Sequence, residues 1–176
     1  DMAGGELIIS LGALLDAVPH TREVRITGRA SNKELSKKAQ WLGIQNSGYQ
    51  GPTGIHSAFA DACSKRKLPH ANIWSHCPHY VQTSPNPIAS YALLERLKNL
   101  VDFDLDMSEL RLAGEAFQEE VSKAIAKQPD VSSYVTRLET QYDEARSESE
   151  DMPTGSDMVN EIEKFLRSQS GGQDSQ

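Results

Sequence analysis

Ala71-Asn72-Ile73-Trp74-Ser75-His76, followed by Cys77-Pro78-His79-Tyr80, is the stretch on which the fold turns. The first six residues read as a short buried strand, and the proline-containing four read as the rigid loop that leaves it. Upstream, Ile55, Phe59 and Ala62 share one face of a helix that closes before Pro69, and Thr53 is placed to cap it. Gly48-Tyr49-Gln50-Gly51-Pro52-Thr53-Gly54 before it is a turn cluster. Further back, Ser31 with Glu34 forms a capping box that opens a helix ending near Gly43. Arg22 to Thr27 alternates in the manner of a strand with one wet face. Glu6 to Leu11, bounded by Gly4-Gly5 and Gly12, is an apolar run that suits a buried strand beginning abruptly, as if an upstream half were missing. Downstream, Asn86 caps a helix with Pro87 in its first position, and Ile88, Tyr91, Leu94 and Leu97 recur at helical spacing. Strands alternating with helices of this length indicate βαβ units and a largely parallel sheet, hence the α/β class.

Beyond residue 101 the pattern becomes wholly helical. Leu110, Ala113, Phe117, Val121 and Ala124 form one apolar stripe. Val131, Tyr134, Val135, Leu138 and Tyr142 form a second, on a helix that Pro129 begins. With only Gln128-Pro129 between them, helices near 107–127 and 130–146 are expected to make an antiparallel hairpin. Met158, Ile162, Phe165 and Leu166 form a third stripe after a polar linker, and they are the expected partner-binding residues. The organisation read from the sequence is an α/β segment over 1–101, an acidic helical extension over 102–168 and a disordered tail over 169–176.

Charge follows the same division. The net charge is −7, but residues 1–101 carry 11 Lys and Arg against 7 Asp and Glu, whereas residues 102–176 carry 7 against 18. An acidic arm on a mildly basic body argues against nucleic acid as a partner, because phosphate binding needs clustered cations. Arg22, Arg25 and Arg29 are spaced as an ordinary solvated edge. No apolar run approaches the roughly 20 residues of a membrane helix, and no basic-then-apolar leader opens the sequence. Cys63 and Cys77 are too few for a disulfide framework, which places the expected home in the cytoplasm.

In an open α/β sheet, ligands gather beyond the carboxyl ends of strands. Two expected strand exits carry a proline followed by histidine, Val18-Pro19-His20 and Cys77-Pro78-His79. Asp16, His20, His76 and His79 are therefore candidates to converge with Thr53 and Gly54, where free helix N–H groups favour an anion. The alternative is that each histidine bonds loop groups and braces its strand exit. His76-Cys77-Pro78-His79 lacks the matched second ligand pair that a metal site needs. Cys77 beside a histidine lacks an evident orienting Asn or Asp. The GxSxG, P-loop and GxGxxG patterns are missing from the chain. No catalytic residue, metal or cofactor is assigned. Trp41 and Trp74 are expected to pack, and His56 to lie on the surface.

Ser10-Leu11-Gly12-Ala13, Val18-Pro19-His20-Thr21-Arg22, Gly51-Pro52-Thr53-Gly54-Ile55, Trp74, Pro78-His79-Tyr80-Val81, Ser84-Pro85-Asn86-Pro87 and Ala92-Leu93-Leu94-Glu95 stand in a telling order. Together they resemble the bacterial, chiefly actinobacterial, branch of the family named after the second proteasome assembly chaperone, in its C-terminal half. The resemblance covers about residues 6–100 and extends more loosely to about 146. It implies a three-layer α/β/α sandwich of the phosphorylase/hydrolase-like type with an all-α C-terminal extension. It also implies a non-enzymatic, assembly-chaperone-like protein of uncharacterised role that binds copies of itself, with a trimer the leading expectation, and another protein complex. The competing expectation is a small-molecule binder or a hydrolase/phosphorylase-like enzyme using His20 and His79. A deep polar pocket holding both histidines would favour it, and fold class alone is weak warrant.

Overall fold

The structure, a computed structural model, describes residues 5–46 and 54–151. It divides into two compact units, 1–139 and 140–176. The first holds β1 (Ile8–Asp16), β2 (Ile26–Ala30), α1 (Lys33–Trp41), β3 (Gln45–Asn46), α2 (Ile55–Lys65), β4 (His70–Pro78), α3 (Pro87–Val101), α4 (Ser108–Ile125) and the start of α5 (Pro129–Asp151). The described part of the second is the remainder of α5.

The four strands lie in the order β1-β4-β2-β3. β4 runs parallel to β1 along nine residue pairs, from Ile8 opposite His70 to Asp16 opposite Pro78. It runs antiparallel to β2, and β2 is parallel to β3. The sheet is therefore mixed: two of its three pairings are parallel, as expected, and the one between β2 and β4 is antiparallel. The cause is the connection from β1 to β2, since residues 17–25 are too few for the dozen or more that a crossover to a parallel strand requires. The loop instead turns the chain over the end of β4, which later inserts between the two strands.

Several boundaries differ from expectation for local reasons. β1 continues past Gly12 to Asp16. Gly12 lies within the strand, and the position requires glycine because a Cβ there would sit 2.4 Å from the Trp74 ring. β2 begins only at Ile26, while Val24 packs against the core without joining the ladder. Asn32, not Ser31, caps α1, its Oδ1 accepting from the Leu35 N–H at 2.8 Å. Ser31 is drawn into the sheet, where its Oγ accepts from the His70 N–H at 2.9 Å. Gly43, just past the C-cap, has φ +75°, the left-handed conformation that ends helices.

Alternation along β4 assigns the two faces of the sheet. Ile73 points to one of them and joins Ile26, Ile44, Leu93 and Leu100 in the core, with Ala39 and Leu42 packed against it, so α1 and α3 lie on this side. Trp74 points to the other, where the His56 ring of α2 meets it edge-on at 4.6 Å. His56 is thus half-buried, not a free surface residue. The α2 face expected to be buried is the exposed one: Ile55 is 81% exposed and Phe59 45%, whereas Cys63 is buried. Trp41 does not pack either, being 86% exposed. The sheet-facing side of α3 is Ala89, Leu93 and Leu100, and the expected stripe is turned away from it, with Ile88 meeting Gly114 of α4.

α4 and α5 are separate helices broken at residues 126–128. α4 packs along α3, with Gly114 buried and Ala113 and Ala124 exposed, so its inward face is rotated from the expected stripe. Val135 and Leu138 of α5 are buried as its periodicity requires. The third stripe, Met158, Ile162, Phe165 and Leu166, lies outside the described residues, as do the tail and Thr53.

Candidate functional site

The loop after β1 crosses the end of β4, and Val18, Pro19 and His20 are buried at the crossing. The two strand exits are held together by Asp16. Its main-chain carbonyl accepts from the His79 N–H and from His79 Nδ1, both at 3.0 Å. Its carboxylate takes Nδ1 of His76 at 2.7 Å and the Ala17 N–H at 2.7 Å. Burial pushes the Asp16 carboxyl upward, but the His76 hydrogen bond, the Ala17 N–H and the positive charge of His76 and Arg25 outweigh it and hold the pKa below the usual carboxylate value. His76 Nε2 meets the Thr27 hydroxyl at 2.9 Å, so Asp16, His76 and Thr27 form a chain across three strands. Thr27 and His76 are both buried.

His20 forms a second node. Its main-chain N–H donates to the Tyr80 hydroxyl at 2.9 Å, and its carbonyl accepts from Nε2 of Gln118 at 2.9 Å. Its Nε2 lies 3.1 Å from the Ser122 hydroxyl, which itself donates to the Gln118 carbonyl. Ser122 therefore accepts from His20, which puts the ring proton on Nε2. Nδ1 is then the acceptor for the Tyr80 hydroxyl, 2.9 Å away. Burial lowers the pKa of His20, opposed by the charge of Glu139, and burial raises that of Tyr80.

α5 closes the cluster. Tyr134 stands edge-on to both His79 and Tyr80, at 5.6 and 6.3 Å between ring centres, and its hydroxyl is 3.4 Å from His79 Nε2. The Thr21 hydroxyl donates to Glu139, which also pairs with Arg22 at 3.5 Å. The space left between the loops is a cavity of about 20 Å³ lined by Val18, His20, His76, Asn86 and Phe117 among others. That volume holds about one water. A small-molecule pocket is larger by an order of magnitude.

Of the residues singled out in the sequence, Asp16, His76 and His79 come together and His20 joins them through Tyr80. Gly54 is the N-cap of α2 and makes no side-chain cap bond. Sequence reasoning missed Thr27, Tyr80, Gln118, Ser122, Tyr134 and Glu139. Gln118 and Ser122 stand four apart on one face of α4, the only local signal they offer. Cys77 alternates with His76 and so faces the other side of the sheet, and burial raises its thiol pKa, the opposite of what a thiolate nucleophile needs. Among the described residues, no group of three His, Cys, Asp or Glu side chains is placed to hold a metal ion, and no helix is long and apolar enough to cross a membrane.

The PAC2 family model matches residues 1–125. Among solved structures, a PAC2 family protein from Streptomyces avermitilis is 37% identical, covering 76% of this chain and 55% of its own, with a TM-score of 0.66. A proteasome-assembly chaperone homologue from Mycobacterium tuberculosis is 36% identical, covering 74% of this chain and 54% of its own, with a TM-score of 0.63. A Mycobacterium tuberculosis protein of unknown function is 26% identical, covering 85% and 50%, with a TM-score of 0.76. The chain spans about half the length of these solved relatives. No curated protein matches it.

Proposed function

This chain belongs to the PAC2 family, and from that premise we propose that it is a non-enzymatic, assembly-chaperone-like protein that works by binding other proteins and copies of itself. One observation carries the reading. The strand exits, where an α/β sheet usually keeps its ligand, are filled by the chain's own His20, His79, Tyr80 and Tyr134, and little more than a water's volume is left. The histidines are loop braces on this reading. Apolar surface meanwhile remains exposed on β1, on α2 and at Trp41, as a protein-binding role requires. The description of a 36% identical relative as a proteasome-assembly chaperone homologue supports the same class.

The finer parts of the proposal are a three-layer sandwich of which this chain is the C-terminal half, a cytoplasmic home, and a trimer held through Met158, Ile162, Phe165 and Leu166. Helices on both faces of β4 are consistent with the first, and two free cysteines with the second. The alternative, an enzyme or small-molecule binder, has one observation in its favour: Asp16, His76 and Thr27 are ordered like an acid, a base and a hydroxyl nucleophile. Against it, Thr27 is only 6% exposed.

Affinity capture of the tagged protein from its own cells, with stoichiometry read by quantitative mass spectrometry, tests the proposal. The expected result is a stoichiometric protein partner that survives Thr27→Val. Labelling of Thr27 by an acyl or phosphonyl probe would overturn it.

A further inference from the structure

Two exposed helix faces of this chain are matched to each other. On α1, Ala39 and Leu42 pack against the core, which turns Lys33, Lys37 and Trp41 outward in one row at i, i+4 spacing. Trp41 is 86% exposed, the most of any large apolar residue in the described part. Lys33 stands in the first position of the helix, where a cation opposes the helix dipole. Each choice works against the stability of an isolated chain, and such departures collect at functional surfaces. Tryptophan is also among the residues most enriched at the centres of protein interfaces.

On α4, the burial of Gly114 turns Leu112, Ala113 and Ala116 to solvent, with Leu112 56% exposed. Glu109 and Glu120 are exposed on the same side of the helix, one toward each end of this row. Arg111 and Lys123 are paired with Glu115 and Glu119. Among the described residues Glu109 and Glu120 have no ion pair, and neither have Lys33 and Lys37. α1 packs on β2 and β3, and α4 packs along α3, so neither face belongs to the strand exits or to β1.

We infer that the α1 face of one copy of this chain docks on the α4 face of another. Trp41 sets its ring on the shallow ground left by Ala113 and Ala116, beside Leu112, and Lys33 and Lys37 reach the carboxylates of Glu109 and Glu120. The rows match in length as well as charge, spanning about 12 Å on α1 and about 16 Å on α4. The indole supplies the apolar burial, while the opposed charges set partner and orientation. Because the two surfaces differ, the contact is heterologous, and each copy keeps one of either kind for the next, the arrangement that closes into rings. The inference rests on the reading of this chain as one that binds copies of itself, and adds a contact to that of the third stripe.

The test is a dilution series of the complete 176-residue chain, labelled with fluorotryptophan and followed by light scattering and fluorine NMR. The Trp41 resonance, assigned with Trp41→Phe, should be open to a soluble paramagnetic agent in dilute protein and shielded in assembled protein. Lys33→Glu with Lys37→Glu, and separately Glu109→Lys with Glu120→Lys, should each raise the dissociation constant by about tenfold or more. Circular dichroism should not change, since all these side chains are exposed. Trp41→Ser should weaken the assembly without touching a charge. Combining both charge reversals in one chain should restore it, because the charges again oppose each other. An assembly indifferent to all three variants, or not restored by the combination, overturns the inference and leaves the self-binding reading standing. Trp41 shielded already in the dilute monomer, as covering from within the same chain would give, overturns it as well. A wild-type chain that stays monomeric at every concentration sinks both.

Discussion

Tyr80 uses one hydroxyl twice, accepting from the His20 main chain and donating to its ring. Tyr80→Phe would leave that buried N–H and Nδ1 without partners, at a cost of about 1–3 kcal/mol per unsatisfied group, measurable by urea denaturation. His20 also sets a pH dependence. Its folded pKa lies below the ordinary 6.5, so above that value the ring is neutral in both states and contributes nothing. As the pH falls through 6.5, the unfolded ring takes up a proton that the folded ring resists, and stability drops until the folded value is passed. His20→Gln should narrow the loss of urea midpoint between about pH 7.5 and about pH 5.5; an unchanged loss would assign it to another group. Asp16 acts in a lower window, because its folded pKa lies below 3.8: its contribution is present above 3.8 and is lost as the pH falls through the folded value. His20 and His79 were legible because each follows a proline at a strand exit. Their partners were not, since Ser122 and Tyr134 stand 102 and 55 residues from the rings they meet, and nothing local marks such pairs.

At the level of elements, two glycines with opposite roles provide a direct check. A Cβ on Gly12 would lie 2.4 Å from the Trp74 ring, so Gly12→Ala should destabilise by about 1–3 kcal/mol through overpacking and alter the near-UV dichroism of Trp74. A Cβ on Gly114 would meet Ile88 at an ordinary 3.6 Å. Gly114→Ala should therefore stabilise by about 0.5–1 kcal/mol from helix propensity. Equal effects from the two would contradict the packing of β1 against β4 or of α4 along α3. The strands and helices of the α/β segment were legible from apolar runs and caps. The antiparallel direction of β2 was readable in principle from the short link over residues 17–25, whereas the alternation of strands with helices pointed only to the largely parallel remainder. The buried face of α2 was not legible, because both of its faces carry apolar residues and only the position of Trp74 decides between them.

For the whole molecule, acidic residues concentrate in the C-terminal part and apolar surface remains on β1, α2 and α1. Ile162→Asp with Phe165→Asp should lower the mass of the full-length protein in light scattering if the third stripe joins identical chains. Unchanged mass with lost helical dichroism would place that stripe within its own subunit. The central claim, that the strand exits are braced and the chain acts by binding protein, is tested most directly by native mass spectrometry of the protein isolated from its own cells. The account predicts a stoichiometric assembly with protein, whether further copies or a second chain, and no retained small molecule. A monomer that carries a bound metabolite, lost when His20 and His79 are replaced, would contradict it.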